Sequence, residues 1–132
     1  MLSAPGRPLD WYVRRHSGGI MGADAFVAFF GVKIALDPDD EGTYDACGAG
    51  TDSRCKAARA VGLQTQAGRM TDGEDYFLLI GRRLGWLGLE HEQYVRIAEK
   101  DLTELQSDVR RKLLAAGFSE VPSMHLQFVG QY

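Results

Sequence analysis

Residues 25 to 36, AFVAFFGVKIAL, are apolar at nearly every position, dense in Phe and β-branched side chains, and bounded by Asp37-Pro38-Asp39-Asp40. Such a run between turn signals predicts a strand. Alternation sets Phe26, Ala28, Phe30, Val32, Ile34 and Leu36 on one face, while Val27 and Phe29 make part of the other face apolar as well. A strand dry on both faces belongs in the middle of a sheet. Residues 75 to 83, DYFLLIGRR, repeat the pattern, with Tyr76, Leu78 and Ile80 opposed to Phe77 and Leu79. Between these two runs, Val61, Leu63 and Thr65 alternate with Gly62, Gln64 and Gln66, which predicts a half-exposed strand. Thr71-Asp72-Gly73-Glu74 supplies the turn that joins it to residues 75 to 83 as a hairpin. A last half-buried strand is expected in MHLQFVGQY, where Met124, Leu126 and Phe128 alternate with His125 and Gln127.

Helical spacing is clearest from Leu102 to Ala116, where Leu102, Leu105, Val109, Leu113 and Ala116 recur at three- and four-residue steps. Asp101 is the expected N-cap, with Glu104 three residues on, and Gly117 and Pro122 close the element. A shorter helix is expected through RCKAARA, capped by Asp52 or Ser53, after a long Gly- and Asp-rich connection. Leu84 to Ala98 carries both strand and helix signals and is left unassigned. The order strand, short helix, strand, strand, long helix, strand is that of the split βαβ, ferredoxin-like βαββαβ arrangement. The expected fold is therefore α+β, a four-stranded antiparallel sheet with helices on one face, in which the first and third strands are central. Residues 1 to 20, with two prolines, three glycines and no periodicity, read as an arm, docked or disordered, ahead of a single domain at 21–132.

With 132 residues the chain has the length of one domain and enough material for a core without staples. Net charge −3 and a pI near 5.6 argue against nucleic acid or an anionic membrane surface as the main partner. No apolar run approaches the ~20 residues that cross a bilayer, and the first residues lack the apolar block of a secretory signal, so a soluble, cytoplasmic protein is expected.

Candidate chemistry is sparse. Asp37, Asp39, Asp40, Glu41 and Asp45 resemble part of a calcium loop, but the twelfth position is Gly48 instead of a bidentate Glu and the loop follows a strand, so a solvated turn is expected. Gly48-Ala49-Gly50-Thr51 lacks the third glycine or the Gly-Lys-Ser/Thr of a phosphate site. Cys47 and Cys55 with His16, His91 and His125 show no zinc-finger spacing, and the two cysteines read as one small buried thiol and one loop thiol. No metal and no cofactor are expected. Arg82-Arg83 and Arg110-Arg111-Lys112 suit solvated strand and helix ends.

The apolar second face carries more weight. Val27, Phe29, Phe77 and Leu79 would lie on the side of the sheet away from the helices, and four such side chains left in water would forgo about 1.5–3 kcal/mol each. Their cover is expected to be a second copy of the chain, with the arm through Trp11 and Tyr12, or another partner, as competitors. The leading expectation is thus a non-catalytic interaction module, homodimeric through that face. The alternative is a small enzyme or ligand-binding protein with a pocket near Trp86 and His91, where Glu90, Glu92 and His125 are the other titratable candidates.

Overall fold

A computed structural model describes residues 25–69 and 76–129. The arm at 1–20 and the turn at 71–74 lie outside the described residues. In chain order the elements are β1 (Ala25–Leu36), α1 (Glu41–Ala49), α2 (Ser53–Ala60), β2 (Gln64–Arg69), β3 (Tyr76–Gly88), α3 (Glu99–Ala115) and β4 (Ser123–Val129). The strands form one antiparallel sheet in the order β2-β3-β1-β4. The fold is α+β, and its two central strands are the two whose sequences are apolar on both faces.

Burial follows the faces of those strands. On one side Phe30, Val32, Leu78 and Ile80 pack with Cys47 of α1, Cys55 and Ala58 of α2, and Val109 and Leu113 of α3. On the other side Val27, Phe29, Phe77 and Leu79 form a second cluster at 0% exposure, flanked by half-buried Trp86 and Val129. These four side chains are closed to solvent within a single copy of the chain. At the centre of the sheet Gly31 faces Gly81 across β1 and β3. A Cβ on Gly31 would stand 2.0 Å from the Ile80 carbonyl oxygen, so only glycine lets the two backbones approach as they do.

Several elements differ from their sequence-based expectation, each for a local reason. The connection after β1 contains α1, which buries Cys47 and has little amphipathic pattern to announce it. It starts instead from a cap: Thr43 donates its N–H (3.1 Å) and its hydroxyl (2.6 Å) to the Asp40 carboxylate. Those bonds, the hydroxyl's first, hold Asp40 below the usual carboxylate pKa. The acidic turn is a helix start. Gly50, at φ +79°, ends α1 in the left-handed conformation and donates its N–H to the Cys47 carbonyl at 3.2 Å. The half-exposed strand begins only at Gln64, because Val61 closes α2 and Leu63 turns into the core.

The long helix begins before its expected cap. Leu102 donates to the Ala98 carbonyl at 2.8 Å, so Ala98 is the N-cap without a side-chain bond, and Asp101 lies in the first turn. Its charge still favours that end of the helix dipole. In β4 two apolar side chains, Met124 and Leu126, do not reach cover. Met124 and Leu126 pair with Phe30 and Ala28, yet they are 48% and 64% exposed. Phe26 shares this strip at 45% exposure, and its ring meets Phe128 edge-on at 5.2 Å. Period-two alternation sets a face; whether a helix lies over that face is decided elsewhere.

Candidate functional site

The site arises where one strand outruns its neighbour. β2 pairs with β3 from Gln64 to Arg69, opposite Gly81 to Tyr76, so residues 82 to 88 of β3 extend beyond it. On the other flank these residues remain paired with β1, through Ala25↔Gly88 to Phe29↔Arg83. A bulge between Ala28 and Phe29 absorbs Leu84 and re-aims the residues that follow. The open flank is closed at its two ends by different groups. At one end the Gln64 side-chain oxygen accepts the Arg83 N–H at 2.7 Å. At the other the chain turns after Gly88 and comes back, so that Glu92 N–H donates to the Trp86 carbonyl (3.1 Å) and Gly88 N–H to the Glu92 carbonyl (3.0 Å).

Between these ends lies an open cleft of about 560 Å³, lined by Gln64, Arg83, Leu84, Gly85, Trp86, His91 and Glu92. Trp86 and His91 stack, with centroids 5.6 Å apart and rings inclined by 29°. Their planes make an aromatic wall. Arg83 is steadied by an Nη1 bond to Gln66 Oε1 at 3.3 Å, and Glu92 supplies the opposite charge on the return segment. Gly85 leaves room for the side chains of the return segment. A Cβ there would come within 2.8 Å of a Val95 methyl and 2.9 Å of Glu92 Oε1.

Trp86, His91 and Glu92 line one cleft together with Gln64, Arg83 and Gly85. Glu90 is exposed and does not line the cleft. His125 is on β4, where its Nε2 lies 3.1 Å from the Gly31 carbonyl oxygen. Val27, Phe29, Phe77 and Leu79 form the buried cluster behind the sheet. The Arg82-Arg83 pair is divided by the pleat. Arg82 turns to the helix side, 3.5 Å from Asp108 of α3, and Arg83 turns to the cleft.

A second group of reactive side chains gathers at the junction of α1 and α2. Cys47 and Cys55 are both buried, at 3% and 0% exposure, so neither is a loop thiol. Their sulfurs and a carboxylate oxygen of Asp52 all lie within 4.8 Å of one another. Asp52 caps α2 by accepting the Arg54 N–H at 2.9 Å, and its two oxygens also receive Arg54 Nε (3.0 Å) and Nη2 (3.2 Å). The Arg54 guanidinium holds the Asp52 carboxyl below its ordinary pKa. Burial first, then Asp52 and Cys55 nearby, pushes the Cys47 thiol up to about 11.

No protein-family model, curated protein or solved structure matches this chain. No helix among the described residues is long and apolar enough to cross a membrane.

Proposed function

We propose that the chain is a ferredoxin-like binding module that takes a small ring-bearing ligand in the cleft between Gln64 and Glu92. The strand order, with β1 and β3 central and every neighbour antiparallel, supports the finer fold assignment, although two short helices stand where that arrangement has one. The observation that carries the functional reading is the stacked Trp86–His91 pair on the wall of an open cleft that also holds one cation and one carboxylate. Planar rings offer a ligand a stacking surface, and Arg83 and Glu92 fix its orientation by hydrogen bonds. The cleft has the size of small-molecule sites in general. Two free, buried thiols suit a reducing, cytoplasmic setting.

Nuclear magnetic resonance titration with nicotinamide, adenine, L-phenylalanine and benzoate tests this reading. At least one of them should shift the Trp86 indole and the His91 ring signals in a saturable way, and Arg83→Gln should weaken that binding about tenfold or more. Absence of saturable shifts with all four, or shifts unaffected by both Trp86→Leu and Arg83→Gln, would remove the cleft as a binding site.

Self-association is a second reading, favoured by the exposed strip of Phe26 on β1 with Met124 and Leu126 on β4, the strand that ends the sheet of described strands. A two-fold axis lets one such strip meet its own copy. The cluster of Val27, Phe29, Phe77 and Leu79 does not require that contact, since it is already closed within one chain. Sedimentation of the chain and of Leu126→Lys decides: a dimer that dissociates in the variant supports the reading, and a monomer in both refutes it.

A further inference from the structure

We infer that Cys47, Asp52 and Cys55 together bind a thiophilic divalent cation, zinc above all. The donors come from two elements that the chain folds against each other: Cys47 from the last turn of α1, Asp52 from the cap of α2 and Cys55 from its first turn. Two sulfurs and one carboxylate oxygen within 4.8 Å of one another form a set that zinc accepts and that harder cations do not. Tetrahedral zinc, with bonds of about 2.0–2.3 Å, holds its ligand atoms roughly 3.3–3.8 Å apart, so binding requires at most a small contraction from the 4.8 Å that bounds the three atoms here. The fourth position falls to water, for which the Asp52 side chain, 14% exposed, marks the open side.

Charge gives an independent argument. Two thiolates and Asp52 carry three negative charges; a divalent cation and the Arg54 guanidinium already bonded to Asp52 supply three positive ones. The filled site is neutral. Without the cation, two thiolates beside a carboxylate at a buried position would be unbalanced. Metal–thiolate bonds form from thiols by exchanging two protons for one cation: the two S–H bonds break, two metal–sulfur bonds form, and no electron is transferred. Arg54 takes the place of the outer partner that orients a metal-bound carboxylate.

The experiment uses the full reduced chain, loaded with zinc and then with cadmium. One cation per chain should survive gel filtration, two protons should be released per cation, and cadmium should produce the ultraviolet charge-transfer band of metal–thiolate bonds. Asp52→Asn keeps a competent helix cap and should weaken zinc by about tenfold or more. Cys55→Ala should abolish the band, while His91→Gln and His125→Gln should leave affinity unchanged. Should Cys55→Ala fail to fold, Asp52→Asn and the band in the unaltered chain still decide the matter. Failure to retain zinc, retention undiminished in Asp52→Asn without a thiolate band, or a chain whose two thiols instead close to a disulfide, losing two hydrogens to a glutathione-type disulfide, would overturn the assignment.

Discussion

β3 holds two regions of unlike fate. From Phe77 to Ile80 it lies between β2 and β1, and all four side chains are at 0% exposure. From Arg82 to Gly88, past the end of β2, every residue is only half-buried, although Leu84, Trp86 and Leu87 are as apolar as those in the first half. Strand sequence alone does not separate core from site. The flanking strand does, because a lost neighbour removes both backbone partners and side-chain cover on that flank, and the protein meets the loss with a Gln64 side chain, a returning Glu92 and an open cleft.

Phe77→Ala should cost about 3–5 kcal/mol by urea unfolding, as a buried ring leaves a cavity in the cluster it forms with Val27, Phe29 and Leu79. Trp86→Ala, although the larger truncation, should cost about 1–2 kcal/mol, since its indole is already half in water. Equal costs would mean that the outer half of β3 is core and the cleft closed.

A smaller effect separates two glycines. Gly31→Ala should destabilise by about 1–3 kcal/mol, since its methyl group would have to displace the backbone of β3. Gly48→Ala, inside α1 with nothing within 4 Å of the new Cβ, should instead stabilise by about 0.5–1 kcal/mol. Denaturation midpoints of the two variants, moving in opposite directions, check the pair.

Gly85→Ala sharpens the account of the cleft itself. The new methyl meets the ends of the Val95 and Glu92 side chains, which can shift, so stability should fall by less than about 1 kcal/mol. The displaced return segment should nevertheless move the Trp86 indole and His91 resonances. Unchanged spectra would show that Gly85 does not set the position of Glu92.

The smallest effect concerns Asp108 on α3, which pairs with Arg82, Arg111 and Lys112. Lys112 first, then Arg111, hold its carboxyl below the ordinary value of 3.8. A carboxyl depressed by folding adds stability above the unfolded value and loses it as pH falls through that range. The unaltered chain should therefore lose slightly more stability than Asp108→Asn between pH 5 and pH 3, and high salt should erase the difference. A difference that persists in 1 M salt would assign Asp108 a role beyond screened surface pairing.

Much of the architecture is set by local pattern. Double-sided apolar runs marked β1 and β3 as central, and the three- and four-residue steps of Leu105, Val109 and Leu113 marked α3, because burial periods of two and 3.6 residues are written along the chain. Trp86 and His91 were visible as residues of the right kind close in sequence. Gln64 and Arg83 were not, since nothing near either one shows that β2 stops and lets them meet. For the same reason α1 escaped the apolar pattern: a cap of Asp40 and Thr43 starts it, and one buried cysteine is too little periodicity to announce it.

Residues two to four positions apart thus set which strands are central and where the long helix runs. Tertiary structure alone decided the bulge at Ala28, the exposure of Met124 and Leu126, the cleft beside Trp86 and the meeting of Cys47, Asp52 and Cys55. Each of these depends on where a neighbouring element ends or turns, and that length is fixed by packing across the fold, not by the residues that line the result.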